Sequence, residues 1–330
     1  MRPLIVTMGE PAGIGGEITL AAWLDRRRGA LPAFAVLDDP ARLGRLAGSL
    51  GLDVPIADIG DPAEAMDIFD TALPVIPLGG RVRTAPGAPD PTDAPLVIEA
   101  IERAVHFCQS GHGAGLVTNP ISKADLYKAG FQHPGHTEFL GALCGTDRQV
   151  MMLAGPRLRV VPATVHRALK DVPDLLDTDD LCATGRTVWQ ALRTDFGIDA
   201  PRIAFSGLNP HAGENGTIGR EEVEIIRPAV ARLRAEGLDV SGPAPADSMF
   251  HDAARATYDA AICMYHDQAL IPVKALDFDR TVNVTLGLPI VRTSPDHGTA
   301  YDIAGRGIAR PDSLIEAIRL AGIIAKNRTR

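Results

Sequence analysis

The stretch AAICMYHDQALIPVK, residues 260–274, opens as a run of small and apolar side chains and then delivers Tyr265, His266 and Asp267 in succession. A short apolar run closed by ionisable groups reads as a buried parallel strand. Such strands are apolar on both faces, and open α/β sheets bind their ligands just beyond the strands' carboxyl ends. His266 is therefore expected at a ligand-binding edge.

Similar runs recur outward from it: LIVT (4–7), AFAVL (33–37), LPVI (73–76), GLVT (115–118), QVMML (149–153) and RIAFSG (202–207). Between several of them lie segments of helical periodicity, at 95–109, 178–194 and 219–236. This alternation predicts βαβ units around a largely parallel sheet, the α/β class. RVRTAPGAPDPTDAP (81–95) reads as a loop whose Thr92 or Asp93 caps the helix that follows. The basic run Arg26 to Arg28 before Gly29 reads as the last turn of a helix. No internal repeat or long linker separates independent modules, so two subdomains would require the chain to pass between them more than once.

Composition narrows the function. At 330 residues and 45% hydrophobic content the chain has a sizeable core, and its formal net charge of -8 speaks against a nucleic-acid or anionic-membrane surface. No stretch approaches the roughly 20 apolar residues of a membrane span, and MRPLIVTMGEPAG has too short an apolar run for a signal segment. Cys108, Cys144, Cys182 and Cys263 are scattered without any C-x-x-C pairing, which argues against a disulfide framework or a thiolate zinc site. A reducing cytoplasm is the expected location.

Five segments break the pattern of apolar strand and ordinary turn. TMGEPAGIGGE (7–17) is a Gly-rich strand-to-helix turn, yet Ile18 stands where the dinucleotide fingerprint G-x-G-x-x-G needs its third glycine. It is either a plain tight turn or a loop that lets backbone approach a ligand. In TNPISKADLYKAGFQHPGHTEFL (118–140), His136 and Thr137 follow Pro134-Gly135 at a helix start, where free N–H groups suit a phosphate or carboxylate. The simpler alternative is that one of them merely caps a helix beginning at Glu138. VPATVHRALKDVP (161–173) and FSGLNPHAGENGTIGREE (205–222) each put one histidine, His166 and His211, just after an apolar strand, as with His266. One such histidine reads as structural. Three at equivalent positions suit a divalent first-row metal with an open coordination position, although the fold would have to assemble them. Lys274, Asn283 and Arg292 supply the cations and amide that recognise a phosphorylated or carboxylated small acid, or else ordinary surface ion pairs. They precede a Gly-punctuated loop holding His297, Gly298, Thr299, Tyr301, Asp302 and Gly305.

Taken in order, MGEPAGIGGE, TNPISKADLYKAGFQHPGHTE, HRALKDVP, LNPHAGENGTIGREE, GPAPADSMF, YHDQALIPVK and VNVTLGLPIVRTSPDHGTAYDIAGRG resemble the 4-hydroxythreonine-4-phosphate dehydrogenase family of vitamin B6 biosynthesis over nearly the whole chain. SPDHGTAYDIAGRGIARP is similar to the adenosine-binding loop of the wider isocitrate and isopropylmalate dehydrogenase group. The resemblance implies a three-layer α/β/α fold of that group, with two subdomains and an active-site cleft between them. Residues 1–125 with 285–330 would form the nucleotide side, and 126–284 the dimer and metal side.

It further implies NAD- or NADP-dependent oxidation of 4-phosphohydroxy-L-threonine at its 3-hydroxyl and decarboxylation to 3-amino-2-oxopropyl phosphate. A homodimer would share each active site between subunits, with a divalent metal (zinc, magnesium, cobalt or manganese) on His166, His211 and His266. His136, Thr137, Lys274, Asn283 and Arg292 would bind substrate, and His297, Gly298, Thr299 and Asp302 the nucleotide. Lys274 is also the proton-transfer candidate, with Asp247 and Asp267 orienting the metal histidines. Glu10 and Gly16 depart from the family pattern, where Asp and Pro are expected. Rival readings are a paralogue for erythronate or threonate 4-phosphate or for an aromatic dihydrodiol carboxylate, and a metal-dependent hydrolase.

Overall fold

The structure, a computed structural model, describes residues 2–133 and 135–329. The chain forms two compact units, Met1–Gln149 with Leu288–Lys326, and Val150–Gly287 with Asn327–Arg330. It leaves the first unit after Gln149, later than the expected passage near 125. The reason is the helix His136–Cys144, whose Phe139 and Leu140 are buried in the same core as Ile101 and Val105.

The described residues form twelve strands, β1 (Leu4–Thr7), β2 (Phe34–Asp38), β3 (Ile56–Asp58), β4 (Leu73–Pro77), β5 (Leu116–Thr118), β6 (Val150–Ala154), β7 (Arg159–Pro162), β8 (Arg202–Ser206), β9 (Asp239–Ala244), β10 (Ala260–Cys263), β11 (Val282–Leu286) and β12 (Arg292–Pro295). The expected α/β class holds, with mostly parallel pairing and helices on both sides. In the first unit the order is β3-β4-β2-β1-β5-β12, every pair parallel. All four residues of β1 are buried because it is an interior parallel strand of a sheet with helices on both faces, which is why LIVT carries no alternation. The chain reverses direction across the sheet between β1 and β5, the kind of switch point where a crevice opens at the strands' carboxyl ends.

The helix Ala94–Gln109 lines this unit's core with Val97, Ile101, Ala104 and Val105, at the spacing of one helical face. Neither expected cap serves it. Asp90 caps the 3-10 turn ahead of it by accepting the Thr92 N–H at 2.9 Å, while Asp93 accepts the N–H groups of Arg83 and Thr84 and so ties down the preceding loop. The first helix, Gly15–Leu24, stops short of the basic run, and the Arg26 guanidinium instead lies 3.5 Å over the Trp23 ring.

In the second unit the order is β11-β6-β7-β10-β8-β9. Its β11-β6 and β6-β7 pairs are antiparallel and the rest parallel. The fully buried β10, the strand read from AAIC, lies between β7 and β8, with Ala261 opposite Val160 and Ile262 opposite Phe205. Leu153, Val160, Ala261, Cys263, Ala269 and Val273 form part of its core. The helix Thr178–Thr194 matches the expected range, capped by Asp177. Residues 219–236 differ in detail: a π-turn at Glu222–Ile226 precedes the helix Arg227–Ala235. Among the described residues no helix is long and apolar enough to cross a membrane.

Candidate active site

The candidate residues divide between the units, and each group is built by its own sheet. In the second unit three neighbouring parallel strands, β7, β10 and β8, end on the same edge, and His166, His266 and His211 respectively follow them. Beyond the ladder, Ala163 N–H donates to the Cys263 carbonyl at 2.7 Å and Thr164 Oγ1 to the Met264 carbonyl at 2.8 Å. These bonds bring the segment carrying His166 beside the one carrying His266. The two rings stand 5.8 Å apart between centroids. His266 begins the helix His266–Asp277, and its Nδ1 lies 2.7 Å from Oδ1 of Asp267. That contact occupies Nδ1 and leaves Nε2 as the ring nitrogen open to a ligand.

Gln268 joins two strand ends. Its Oε1 accepts from the Met264 N–H and from Ser206 Oγ, both at 2.7 Å, and its Nε2 donates to the Gly207 carbonyl at 2.8 Å. Past Gly207 the chain enters an unusual turn. His211, Ala212, Gly213, Glu214 and Asn215 all adopt left-handed φ, from 41° to 75°. His166 is also left-handed, at φ 53°. A non-glycine residue there costs about 1 kcal/mol or more, and such strain concentrates at functional sites.

The left-handed turn is braced by Glu222. This fully buried carboxylate accepts the N–H groups of Leu208 at 2.8 Å and Asn209 at 2.7 Å on Oε1, and Asn209 Nδ2 at 3.0 Å on Oε2. Burial is the largest influence on it and opposes the charge, but the hydrogen bonds from Asn209 and Leu208 win and hold the carboxyl below its usual range.

Two neighbouring imidazoles, one oriented by a carboxylate, suit a divalent metal such as zinc, cobalt or manganese. Among the described residues, however, the chain does not gather three or more His, Cys, Asp or Glu side chains into a metal-holding group. His166 and His266 are brought together; His211 stands exposed on its turn. Asp247 is exposed on the short turn Ala246–Ser248, which packs against the His211 turn. Lys274 lies in the last turn of the His266 helix, its Nζ 5.8 Å from the centre of the Phe278 ring. Asn283 is on β11, opposite Leu153 of β6.

In the first unit, the helix holding His136 and Thr137 starts at His136, two residues earlier than a start at Glu138, with Gly135 as N-cap and no side-chain cap hydrogen bond among the described residues. Pro134, part of the expected turn, lies outside the described residues. Among the described residues, the buried Nε2 of His136 has no hydrogen-bond partner. Burial, reinforced by the positive charges of Arg292 and Lys123, pushes this imidazole well below its ordinary range, so it is neutral at pH 7. Arg292, only 5% exposed, donates Nε at 3.2 Å and Nη2 at 2.8 Å to Thr118 Oγ1. Burial lowers its guanidinium to about 10, still charged at neutrality. A buried cation, a half-buried imidazole whose Nε2 is shielded from solvent and an uncapped helix start together favour an anionic ligand.

The Gly-rich loop after β1 meets the loop after β12. Ile14 N–H donates to the Thr299 carbonyl at 3.0 Å, and a Cβ at Gly13 would sit 2.8 Å from that oxygen. Glu17, 3% exposed, accepts the N–H of Gly305 at 2.9 Å and of Ala309 at 3.1 Å. The segment with His297, Gly298, Thr299 and Asp302 is thus fastened at both ends, and the Gly-rich turn acts as its clamp. His297 donates Nδ1–H to the Gly298 carbonyl at 3.1 Å, while its Nε2 is buried without a partner. Gly298 and Asp302 are exposed.

Both departures from the family pattern have local compensation. Glu10 folds back to accept the Ala12 N–H at 3.2 Å, and a Cβ at Gly16 would lie 2.9 Å from Leu46 and 3.1 Å from the Arg42 guanidinium. Arg42 in turn pairs with buried Asp38 at 2.6 Å and donates to the Pro11 carbonyl at 2.7 Å.

Residues 31–321 match the family model described as "Pyridoxal phosphate biosynthetic protein PdxA". The chain belongs to this family. It is 54% identical to 4-hydroxythreonine-4-phosphate dehydrogenase of Methylorubrum populi, over 98% of this chain and 95% of the relative. A solved 4-hydroxythreonine-4-phosphate dehydrogenase from Klebsiella pneumoniae superposes with a TM-score of 0.89 at 38% identity, covering 98% of both chains. At the level of fold alone, a beta-decarboxylating dehydrogenase from Thermococcus kodakarensis matches with a TM-score of 0.50 at 15% identity, over 99% of this chain and 83% of its own. The PdxA family is one of dehydrogenases acting on a CH–OH group, and the α/β architecture implied by the resemblance is the one found.

Sequence reasoning missed Glu17, Glu222 and Gln268, each a buried polar side chain that ties backbone segments distant in sequence. Glu17 and Glu222 are ordinary acidic residues at helix starts, and nothing local distinguishes them. Gln268, two residues after His266, was the more accessible signal: a polar residue on the inward side of an otherwise apolar helix face.

Proposed function

We propose that this PdxA-family chain oxidises 4-phosphohydroxy-L-threonine at the 3-hydroxyl with NAD or NADP and decarboxylates the product to 3-amino-2-oxopropyl phosphate, in pyridoxal 5'-phosphate biosynthesis. The observation that carries this reading is the 54% identity, over nearly the full chain, to a relative named for that substrate. The chemistry of the residues agrees with it. Arg292 and the neutral His136, with Thr137 beside it, are assigned to the anionic groups of the substrate, and Lys274 and Asn283 complete the substrate set. Lys274 is assigned the proton of the 3-hydroxyl, which must leave as hydride passes to the nicotinamide.

His166, His211 and His266 are assigned to a divalent metal, zinc, magnesium, cobalt or manganese, and Asp247 and Asp267 to their orientation. The neighbouring imidazoles and the Asp267 contact fit that group. When bound, such an ion acidifies a coordinated hydroxyl and stabilises negative charge developing on oxygen. Nicotinamide supplies hydride acceptance, and His297, Gly298, Thr299 and Asp302 are assigned to the nucleotide. The first unit is read as the nucleotide side and the second as the metal and dimer side.

The homodimer reading has support in the helix of His266 and Lys274, which leaves Ile271 66% exposed, and in Phe278 just beyond it, 72% exposed. Apolar surface beside candidate catalytic residues suits a subunit contact that completes the site. Four unpaired cysteines agree with a reducing cytoplasm.

The test follows reduced nicotinamide with 4-phosphohydroxy-L-threonine, erythronate 4-phosphate and threonate 4-phosphate, with and without chelator. Metal-dependent turnover highest on the threonine derivative is the expected result. Preference for a sugar-acid phosphate would keep the chemistry and change the substrate, whereas phosphate release without nicotinamide reduction would replace the dehydrogenase by a hydrolase.

A further inference from the structure

The left-handed run from His211 to Asn215 asks for an explanation that the three-histidine assignment does not provide. Four non-glycine side chains occupy a backbone region they ordinarily avoid. Something must hold them there. The ladder of β8 ends at Ser206, and Gln268 secures Ser206 and Gly207, so the strand end is fixed without help from further along the chain. Beyond it, the N–H groups of Leu208 and Asn209 both turn to one oxygen of Glu222.

The other Glu222 oxygen takes Asn209 Nδ2 and fills the space a Cβ at Gly213 would need. A second bond from Asn209 Nδ2, 2.7 Å to Glu221 Oε2, prevents the amide from swapping its donor end away. One buried carboxylate therefore holds the arc by hydrogen bonds just before His211 and packs against the backbone at Gly213 just after it. Glu222 opens a π-turn, a widened helical turn that recurs at functional sites because the extra residue re-aims a side chain.

We propose that Glu222 is a positioning residue for His211: it holds the imidazole in its left-handed turn, and uptake of the divalent metal depends on it. This rests on the reading of His166, His211 and His266 as metal ligands. Glu222 itself touches neither metal nor substrate; it acts through the backbone of residues 208–213. A carboxylate that only stabilised the fold would lower the melting midpoint of the metal-free protein and leave the metal affinity of the folded protein alone.

The experiment uses the full chain, freed of metal by chelator, and titrates cobalt(II) by calorimetry and by its visible absorption. Wild type, His211→Ala, Glu222→Gln and Asn209→Ala are compared, with circular dichroism of each metal-free protein as the control for folding. Expected are uptake by wild type, its loss in His211→Ala, and an affinity lower by roughly 10- to 100-fold in folded Glu222→Gln. Asn209→Ala, which keeps both backbone bonds to the carboxylate, is expected to weaken binding less and in the same direction.

Wild-type affinity and absorption in Glu222→Gln would overturn the proposal while leaving the metal assignment standing. If Glu222→Gln does not fold, Asn209→Ala decides, and unchanged affinity there overturns it equally. Cobalt uptake by His211→Ala as tight as by wild type, or none by wild type, would sink the metal reading itself and the proposal with it.

Discussion

Oδ1 of Asp267 lies 2.7 Å from Nδ1 of His266, so the residue next in sequence sets the tautomer of the imidazole that faces His166. Removing the carboxylate in Asp267→Ala is expected to weaken metal uptake about tenfold. His266→Ala should abolish both uptake and metal-dependent turnover. Calorimetric titration of zinc into the two variants checks both, and an Asp267→Ala affinity equal to wild type would show the contact to be incidental.

Arg292 is buried with its fork on Thr118 Oγ1, and lysine cannot reproduce that geometry with a single ammonium. Arg292→Lys is expected to raise KM for the phosphorylated substrate by about 10- to 100-fold, equivalent to ~1.4–2.7 kcal/mol. Steady-state kinetics at saturating nicotinamide read this directly. An unchanged KM would remove Arg292 from the substrate site.

The pKa of the His136 imidazole is held well below the ordinary histidine value of about 6.5 by burial first, then by Arg292 and Lys123. Above that value both folded and unfolded chains carry it neutral, and it takes nothing from stability. As pH falls below 6.5 the unfolded chain gains a proton that the folded chain refuses, so stability is lost on the acid side. The slope for one proton is at most about 1.4 kcal/mol per pH unit. His136→Gln should flatten the acid limb of the melting profile. An anion beside Arg292 and Lys123 reverses the effect on the imidazole, so sulfate should bind wild type more tightly as pH falls and His136→Gln without that dependence.

Glu17 accepts two N–H groups from the segment that follows Asp302. Glu17→Gln places an amide donor against one of them, a cost of about 1–3 kcal/mol for a buried group left unpaired. The expected outcome is a KM for the nicotinamide cofactor raised about tenfold, with KM for the phosphorylated substrate nearly unchanged. A rise in both, or in neither, would separate this loop from nucleotide binding.

Much of this molecule was legible in its residues, and the limits have physical causes. The strands β1, β10 and the helix Thr178–Thr194 were readable because burial on both faces, or on one helical stripe, writes a periodic pattern into the chain. The three histidines were visible because each ends an apolar run. The cap ahead of the helix Ala94–Gln109 was misplaced because Asp93 finds better partners in the loop before it. Similarly, the helix at His136 starts earlier than a side-chain cap would dictate, since its N-cap is a glycine with no side chain to offer.

By itself, then, the sequence determined the α/β class, the family and the identity of the candidate residues, because these depend on local periodicity and on motifs contiguous in the chain. Only the tertiary structure decided that His166 and His266 are neighbours, that the Gly-rich turn clamps the loop at Thr299, and that Glu222 braces the His211 turn. Each of those relationships joins residues brought together by strand order or by a buried polar group seeking donors. A buried carboxylate is chosen by the N–H groups it can reach in space, and that choice leaves no trace in the residues on either side of it.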